Sequence, residues 1–318
     1  MEIPAQPLSF GQILDRTFRL SRANLMNFIF ISLVPASGLL VTALAMVGTM
    51  FYYLRPDRGL PQSLTPPEIV LISAASLAAI IVMMFVFALF QPAICHAALE
   101  ADRGIEAGFS AAYAKAWSRC GRYLWLMLLK SVIVAGPMYG AILAIAGLMF
   151  FELRSGGNQS GFLLVVMPLL MLIYFAGSVY AAFAMIRLAL ATPACVAEDL
   201  PAWAAIRRSL QLTRGAMGRI FLIGLIIYAI NYAAVIVFEV VAGLIVALGA
   251  LLFSLMNLGK TAEITSASFF GVLLFAGFMV LTGALWASFS VAFSLVYLDQ
   301  KLRIDPRHAA GPQPEGAA

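Results

Sequence analysis

Few residues of this chain have the types and the spacing that catalysis or metal binding requires. Histidine occurs only at positions 96 and 308, and the sequence contains no catalytic triad, glycine-rich phosphate loop or metal-spaced His and Asp cluster. Thiols, carboxylates and one imidazole do occur near residues 100 and 200, namely Cys95, His96, Glu100, Asp102, Cys195, Glu198 and Asp199. Such groups ligate zinc in proteins, but their spacing matches none of the usual zinc sites. The sequence therefore predicts no catalytic residue, no metal site and no cofactor.

Three ionisable side chains, Lys130, Arg187 and Glu239, fall inside long apolar stretches. On insertion scales a charge at the bilayer centre costs about 2.5 to 3.5 kcal/mol, so each group needs a partner, a water path or a route to the surface. One interpretation is a small-molecule or ion transporter in which the three converge on a shared cavity, accompanied by Asn231. The competing interpretation is that Lys130 and Arg187 extend their long stems to the headgroups and share no site.

Basic residues have the clearest pattern of all the chemical groups in the sequence. They recur in three stretches that are polar on one face and apolar on the other, which is typical of helices lying in the headgroup layer. Nine of them are expected to face headgroups: Arg16, Arg19, Arg22, Lys115, Arg119, Arg122, Arg207, Arg208 and Arg214. Since each contributes roughly 1 kcal/mol near an anionic surface, one hypothesis is that anionic lipids bind to these residues. The other is that the basic residues only orient the chain in the membrane.

The first basic stretch contains two patterns that predict local structure. Ser9 and Gln12 have the spacing of a capping box, in which each side chain bonds the backbone N–H of the other residue. Asp15 and Arg19 are four residues apart, the spacing at which opposite charges pair on a helix. We therefore predict a helix that begins after Ser9 and has an ion pair on its polar face.

Composition determines which elements position these groups. Hydrophobic residues make up 63% of the chain and charged residues 11%, against roughly 45 to 50% and 25% in soluble globular proteins. Uninterrupted apolar stretches lie at residues 25–54, 69–99, 123–151, 161–196, 220–256 and 267–298. A β-barrel is excluded because its strands show about ten residues of alternating polarity. The predicted fold class is all-α: a polytopic transmembrane helical bundle of about six spans, with three amphipathic interfacial helices on the cytoplasmic side.

Lysine and arginine predict the orientation of these spans, because the more basic loops of a membrane protein stay in the cytoplasm. Fourteen of the twenty basic residues precede the first span, follow the last span or lie in the second and fourth connecting segments. The alternate segments hold four, namely Arg55, Arg58, Arg154 and Lys260. We therefore expect a multi-pass protein of the inner (plasma) membrane with both termini in the cytoplasm.

A basic stretch followed by two spans occurs three times, in repeat-like units at residues 9–98, 104–196 and 199–302. The first and third basic stretches align without a gap at an offset of 192 residues, with identities at Arg16, Leu20 and Arg22. The three units form one predicted membrane domain, residues 1–310. The end of the chain, residues 304–318, is rich in Gly, Pro and Ala and is predicted to be a disordered tail.

Three short motifs resemble those of a known family. They are the segment FGQILDRTFRL at 10–20, the segment around RRSLQLTR within 204–214, and the closing VYLD at 296–299. With them, nearly the whole chain resembles bacterial six-span proteins of the glycerophosphoryl diester phosphodiesterase membrane-domain type. The resemblance implies their architecture and an inner-membrane location. It does not imply hydrolysis, because the His, Glu and Asp pattern of the soluble phosphodiesterase domain does not occur in this sequence.

These patterns predict a non-enzymatic membrane protein with a lipid-associated or scaffolding role at the cytoplasmic leaflet. The expected partners are membrane lipids, with anionic headgroups as the specific hypothesis, and nothing in the sequence predicts binding of a nucleic acid. The alternative is the transporter that uses Lys130, Arg187 and Glu239. A shared, wet cavity lined by all three side chains would favour the transporter, whereas scattered side chains would favour the lipid-associated role.

Overall fold

In this computed structural model of the chain, residues 8–53, 66–105, 108–155, 159–255 and 260–304 are described. Throughout these ranges the regular structure is helical and contains no strand, which confirms the predicted all-α class. The helices of the described ranges are α1 (Phe10–Ala23), α2 (Leu25–Tyr53), α3 (Pro66–Asp102), α4 (Phe109–Trp117), α5 (Cys120–Ser155), α6 (Gln159–Leu188), α7 (Ala191–Ala197), α8 (Ala202–Thr213), α9 (Met217–Leu255) and α10 (Lys260–Ile304).

Six segments are long and apolar enough to cross a bilayer, as the sequence predicted. They are Leu25–Thr42, Val70–Asp102, Cys120–Phe151, Pro168–Ala197, Met217–Leu252 and Phe270–Ile304. α10 has 45 residues, which corresponds to about 68 Å of helix against roughly 30 Å of hydrocarbon. The longest helices therefore extend beyond the hydrocarbon layer.

A short helix precedes each of three pairs of long helices: α1 precedes α2 and α3, α4 precedes α5 and α6, and α8 precedes α9 and α10. Each short helix packs against the last helix of another pair, α1 against α10, α4 against α3, and α8 against α7, which continues α6. The contact of α1 with α10 joins the first pair to the last, so that the three pairs form a closed arrangement. That the short helices lie in the headgroup layer stays a prediction.

The beginning of α1 has the predicted capping box. The Ser9 hydroxyl accepts a hydrogen bond from the Gln12 backbone N–H at 3.3 Å, and the Gln12 side chain accepts one from the Ser9 N–H at 2.8 Å. Both side chains of the predicted Asp15 and Arg19 pair are exposed, and no ion pair joins them in the described chain. An exposed ion pair gains little free energy over the separate hydration of its two charges. Holding both side chains in one geometry costs conformational entropy, which outweighs that gain here.

Nearly all of the tight packing lies at one end of the bundle, which we call the charged end. It comprises residues 8–31, 88–105, 108–130, 184–227 and 287–304, and it contains every residue of the buried core cluster. Its largest buried side chains come from four different helices and include Phe28, Phe90, Tyr123 and Tyr297. The opposite part of the long helices, which we call the apolar half, comprises residues 37–53, 66–84, 137–155, 159–180, 230–255 and 260–283, and short stretches of each long helix lie between the two parts.

The apolar half presents large hydrophobic side chains to its surroundings instead of packing them inward. Leu143, Leu172 and Leu248 are 71%, 65% and 59% exposed, respectively. Such surfaces suit contact with lipid tails, which are as apolar as leucine. The two parts of the bundle therefore differ in what surrounds their hydrophobic side chains.

α2 and α10 are in close contact at a glycine. A Cβ atom added to Gly283 of α10 would lie 2.6 Å from the Cβ atom of Ser32 in α2. Ser32 cannot move away easily, because its side chain is buried and its hydroxyl donates to the Phe28 carbonyl at 2.7 Å. The absence of a side chain at Gly283 is thus a condition for this helix contact.

Parts of the predicted organisation lie outside the described residues. This applies to the predicted disordered tail at 304–318, apart from Ile304, and to Arg55 and Arg58, on which part of the predicted orientation depends. The division into repeat-like units within a single membrane domain of residues 1–310 also stays a prediction.

Candidate functional site

The ion pairs of the described chain all lie in the charged end. They join carboxylates near the ends of α3, α7 and α10 to basic residues, most of them on another helix and one, Arg303, on the same helix as its partner. The pairs are Arg16 with Asp102, Lys115 with Glu100, Arg119 and Arg122 with Asp199, Arg208 and Lys301 with Glu198, and Arg219 and Arg303 with Asp299. This end of the molecule therefore contains an internal network of opposite charges.

Asp299 is the most deeply buried member of the network, with a side chain that is 0% exposed. One carboxylate oxygen accepts from Arg303 at 3.0 Å and lies 3.0 Å from a guanidinium nitrogen of Arg219, and the other accepts from the Leu8 backbone N–H at 2.8 Å. The two arginines also donate to the Leu8 carbonyl, at 2.7 Å and 3.0 Å. Asp299 thereby connects the segment before α1 with α9 and α10.

Glu198 connects α7 and α8 with α10. Its carboxylate accepts from the Tyr297 hydroxyl at 2.6 Å, lies 3.1 Å from the Lys301 amine, and lies 3.3 Å from Nε of Arg208. Partial burial by itself raises the pKa of Glu198, but the hydrogen bonds from Tyr297 and Lys301 and the charges of Lys301 and Arg208 together lower it. Glu198 is therefore ionised at neutral pH and acts as an acceptor for all three neighbours.

Asp102 and Asp199 are related to their partners in a similar way. Asp102, at the end of α3, lies 2.6 Å from an arginine nitrogen of Arg16 in α1, and both side chains are nearly buried. Asp199, after α7, pairs with Arg119 and Arg122 at the beginning of α5. Each ion pair thus links the segment at the start of two consecutive long helices to the end of the second one. The ion pair of Arg219 with Asp299 does the same for α9 and α10.

These ion pairs were not predicted from the sequence, in which Glu100, Asp102, Glu198 and Asp199 were considered as zinc ligands and not as ion-pair partners. A usable signal was present: an acidic residue lies at the end of each pair of long helices, at Asp102, Asp199 and Asp299. Acidic residues close to a membrane need a partner because an isolated buried charge is costly. Their regular placement would have predicted pairing with the basic stretches.

The nine residues expected to face headgroups fall into two groups. Five have an internal carboxylate partner: Arg16, Lys115, Arg119, Arg122 and Arg208. The remaining four are exposed and make no ion pair with any residue that the structure describes: Arg19, Arg22, Arg207 and Arg214. The guanidinium of Arg207 lies 5.6 Å from the centre of the Trp203 ring, in the geometry of a cation–π contact.

Lys130 points into the bundle. Its amine donates to the Thr192 hydroxyl at 3.2 Å, beside a cavity of about 10 Å³ that is also lined by Gln91 and Tyr123. A cavity of this size holds about one water molecule. The interpretation that Lys130 extends to the headgroups is therefore wrong for this structure, because an acceptor on α7 lies within reach.

The other polar groups inside the spans lie apart from Lys130. Arg187 is exposed on α6, with its guanidinium 5.1 Å from the centre of the Phe183 ring. Asn231 is buried and donates to the Leu285 carbonyl and the Ser288 hydroxyl, both at 3.1 Å, which joins α9 to α10. Glu239 is exposed, two turns further along α9. Within the described ranges no hydrogen bond or ion pair joins any two of these four polar residues.

The thiols, imidazole and carboxylates near residues 100 and 200 form no metal-binding cluster in the described part of the chain. Glu100, Asp102, Glu198 and Asp199 take part in the ion pairs above. The Tyr123 hydroxyl lies 3.4 Å from Nε2 of the His96 ring. These side chains thus serve contacts between helices.

A groove of about 530 Å³ lies between α2 and α10, with Phe109 of α4 at its edge. Among the described residues that line it, the one polar side chain is Ser37, whose hydroxyl donates to the Val34 carbonyl at 2.9 Å. The groove therefore offers hydrocarbon contacts and no free hydrogen-bonding side chain.

Comparisons with known proteins found no match for this chain: no family model, no curated protein and no solved structure is similar to it. The contacts, charges and burial of the chain itself therefore carry the functional argument.

Proposed function

We propose that this chain is a non-enzymatic inner-membrane protein whose charged end binds anionic lipid headgroups. The observation that carries the proposal is the set of four exposed arginines, Arg19, Arg22, Arg207 and Arg214, which have no ion-pair partner among the described residues. The carboxylates of the internal network are already paired with other basic residues. Anionic headgroups supply the missing counter-ions, at roughly 1 kcal/mol for each basic residue near the surface.

In this proposal the charged end faces the cytoplasm, and both termini lie there. The excess of lysine and arginine at this end supports the orientation. Exposed aromatic rings support the position of the charged end at the membrane interface. Trp117, Trp125 and Trp203 are 61%, 56% and 51% exposed, and tryptophan favours that interface. Single cysteines at positions 57, 157 and 262 should react only with reagents added outside the cell, and labelling from the cytosol would refute the orientation.

We further propose kinship with the glycerophosphoryl diester phosphodiesterase membrane-domain proteins, on the basis of the motifs at 10–20, 204–214 and 296–299. The transporter alternative lacks support, because Lys130, Arg187 and Glu239 lie on three helices and make no contact with one another in the described chain.

The direct test replaces the four unpaired arginines by glutamine in the full chain. The protein is purified from membranes, exchanged into mixtures of phosphatidylglycerol and phosphatidylcholine with identical acyl chains, and weighed by native mass spectrometry. We expect the wild type to retain phosphatidylglycerol preferentially over phosphatidylcholine. In the glutamine variant this preference should be weaker by a factor of about ten or more. The matched control carries lysine at the same four positions and should behave as the wild type. A glutamine variant with the wild-type preference would refute the proposal.

A further inference from the structure

The groove between α2 and α10 has the depth of one lipid leaflet. On α2 its lining extends from Phe30 to Leu40, and the rise between these two residues corresponds to about 15 Å of helix. Half of the bilayer hydrocarbon is also about 15 Å thick. The groove therefore begins near the charged end and reaches approximately the middle of the bilayer.

The walls of the groove fit a hydrocarbon chain. Phe30 and Leu33 of α2 face Met279 of α10, and the hydroxyl of Ser37 is already bonded to its own helix. The volume of about 530 Å³ falls within the roughly 300 to 1,000 Å³ of ordinary ligand sites. A polar ligand would find no partner there, whereas an acyl chain leaves no hydrogen bond unmade.

The edge of the groove at Phe109 is held in place by α4. Tyr113, one turn further along this helix, donates from its hydroxyl to the Ile31 carbonyl of α2 at 2.8 Å. Burial raises the pKa of Tyr113, so the hydroxyl remains a donor at all ordinary pH values. The ring centroids of Phe109 and Tyr113 lie 5.1 Å apart, so the anchored Tyr113 ring packs beside the Phe109 ring at the groove edge.

Exposed arginines without an ion pair in the described chain lie in the segments that lead into α2 and α4, two of the helices that line the groove. Arg22 is in the last turn of α1, three residues before α2 begins, and is exposed. Arg103, also exposed and without an ion pair in the described ranges, precedes α4 by six residues. A phosphate attached to a chain in the groove would lie at the level of these guanidinium groups.

We infer that the groove binds one acyl chain of an anionic phospholipid, whose headgroup pairs with Arg22. This inference rests on the proposed function and assigns it a particular site. The charge of Arg22 selects the headgroup and the groove holds the chain, so binding requires both. A segment from a second copy of the protein is the other occupant that the test distinguishes.

The test uses two variants of the full chain, each of which fills the groove from one wall. They are Ala276→Phe on α10 and Ser37→Phe on α2. The matched control is Ala144→Phe, an exposed position on α5 that does not line the groove. Native mass spectrometry after exchange into phosphatidylglycerol should show one firmly retained lipid per chain in the wild type and the control, and none in the groove variants. Arg22→Gln should weaken retention by about fivefold, and Arg22→Lys should not.

A readout on the wild type protects the test against variants that do not fold. Phosphatidylglycerol with a photoreactive group near the end of one acyl chain should cross-link to peptides of α2 and α10 that contain Leu40 and Met279. Cross-links confined to other helices would overturn the inference, and so would groove variants that retain the lipid as the wild type does.

The remaining outcomes separate the inference from the proposed function. If the groove variants retain lipid while the fourfold arginine variant loses its headgroup preference, the groove inference is refuted and the proposed function stands. If the wild type retains phosphatidylcholine equally well, the proposed function and the headgroup part of the inference both fail. A dimer that disappears in the groove variants, without any change in lipid, would identify a second copy as the occupant and refute the lipid assignment.

Discussion

The charged end and the apolar half of this bundle organise the same long helices by different physical means. In the charged end, buried side chains pack together and ion pairs connect helices that are far apart in sequence, as Asp299 connects α9 and α10 with Leu8. In the apolar half, side chains such as Leu143 and Leu172 remain largely exposed. Contact between these side chains and lipid tails changes the free energy little, because both are apolar. The hydrophobic effect therefore does not bring the helices together there.

The difference indicates where the arrangement of the helices is specified. Charged groups and hydrogen bonds have preferred directions and distances, so a network of them favours one set of helix neighbours. Contacts between apolar surfaces in lipid are interchangeable unless the helices fit closely, as they do at Gly283 and Ser32. We therefore expect substitutions in the charged end to affect the fold more than comparable substitutions in the apolar half.

The largest effect is expected for Asp299→Asn. The substitution keeps the shape of the side chain but leaves Arg219 and Arg303 without their buried carboxylate. Breaking a buried pair in this way costs about 3 to 5 kcal/mol of unfolding free energy. Thermal unfolding in detergent micelles measures the loss. The matched control is Asp15→Asn, which changes an exposed carboxylate with no ion pair in the described chain and should leave the midpoint nearly unchanged.

A smaller effect is expected for Gly283→Ala, where the new Cβ atom would meet Ser32 at 2.6 Å. Forcing one carbon into a tight contact costs about 1 to 3 kcal/mol, although alanine recovers up to about 1 kcal/mol in helix propensity. The thermal midpoint should therefore fall moderately. Gly140→Ala is the control, because nothing lies within 4 Å of its added Cβ, and its midpoint should stay level or rise. Equal behaviour of the two variants would contradict the close contact of α2 with α10.

The smallest effect is expected from pH, through Glu198. Because its pKa is lowered in the folded protein, this carboxylate stabilises the fold above the ordinary glutamate pKa of about 4.3, and the contribution disappears as pH falls through the folded value. The difference in thermal midpoint between the wild type and Glu198→Gln should therefore be constant from pH 7 to pH 5 and shrink below that. A difference that grows on acidification would show that the sign of the pKa shift is wrong.

Much of the fold was predictable from the sequence, because each part of it depends on a short segment. The six spans follow from apolarity within single stretches, and the beginning of α1 follows from Ser9 and Gln12, which are three residues apart. The candidate site was predicted less completely. The basic residues were identified by type, but their type alone did not distinguish Arg119, which has an internal partner, from Arg207, which has none in the described chain.

The sequence by itself determined that this protein is a helical membrane protein with six spans and basic residues concentrated in particular connecting segments. Local apolarity decides membrane insertion, and local charge decides orientation, so neither requires knowledge of helix neighbours. Only the tertiary structure decided which charges neutralise one another, that Lys130 bonds Thr192, and that α2 and α10 leave a groove between them. Such features require atoms from segments up to 295 residues apart, as in the bond from Arg303 to the Leu8 carbonyl, and they form only when the helices pack.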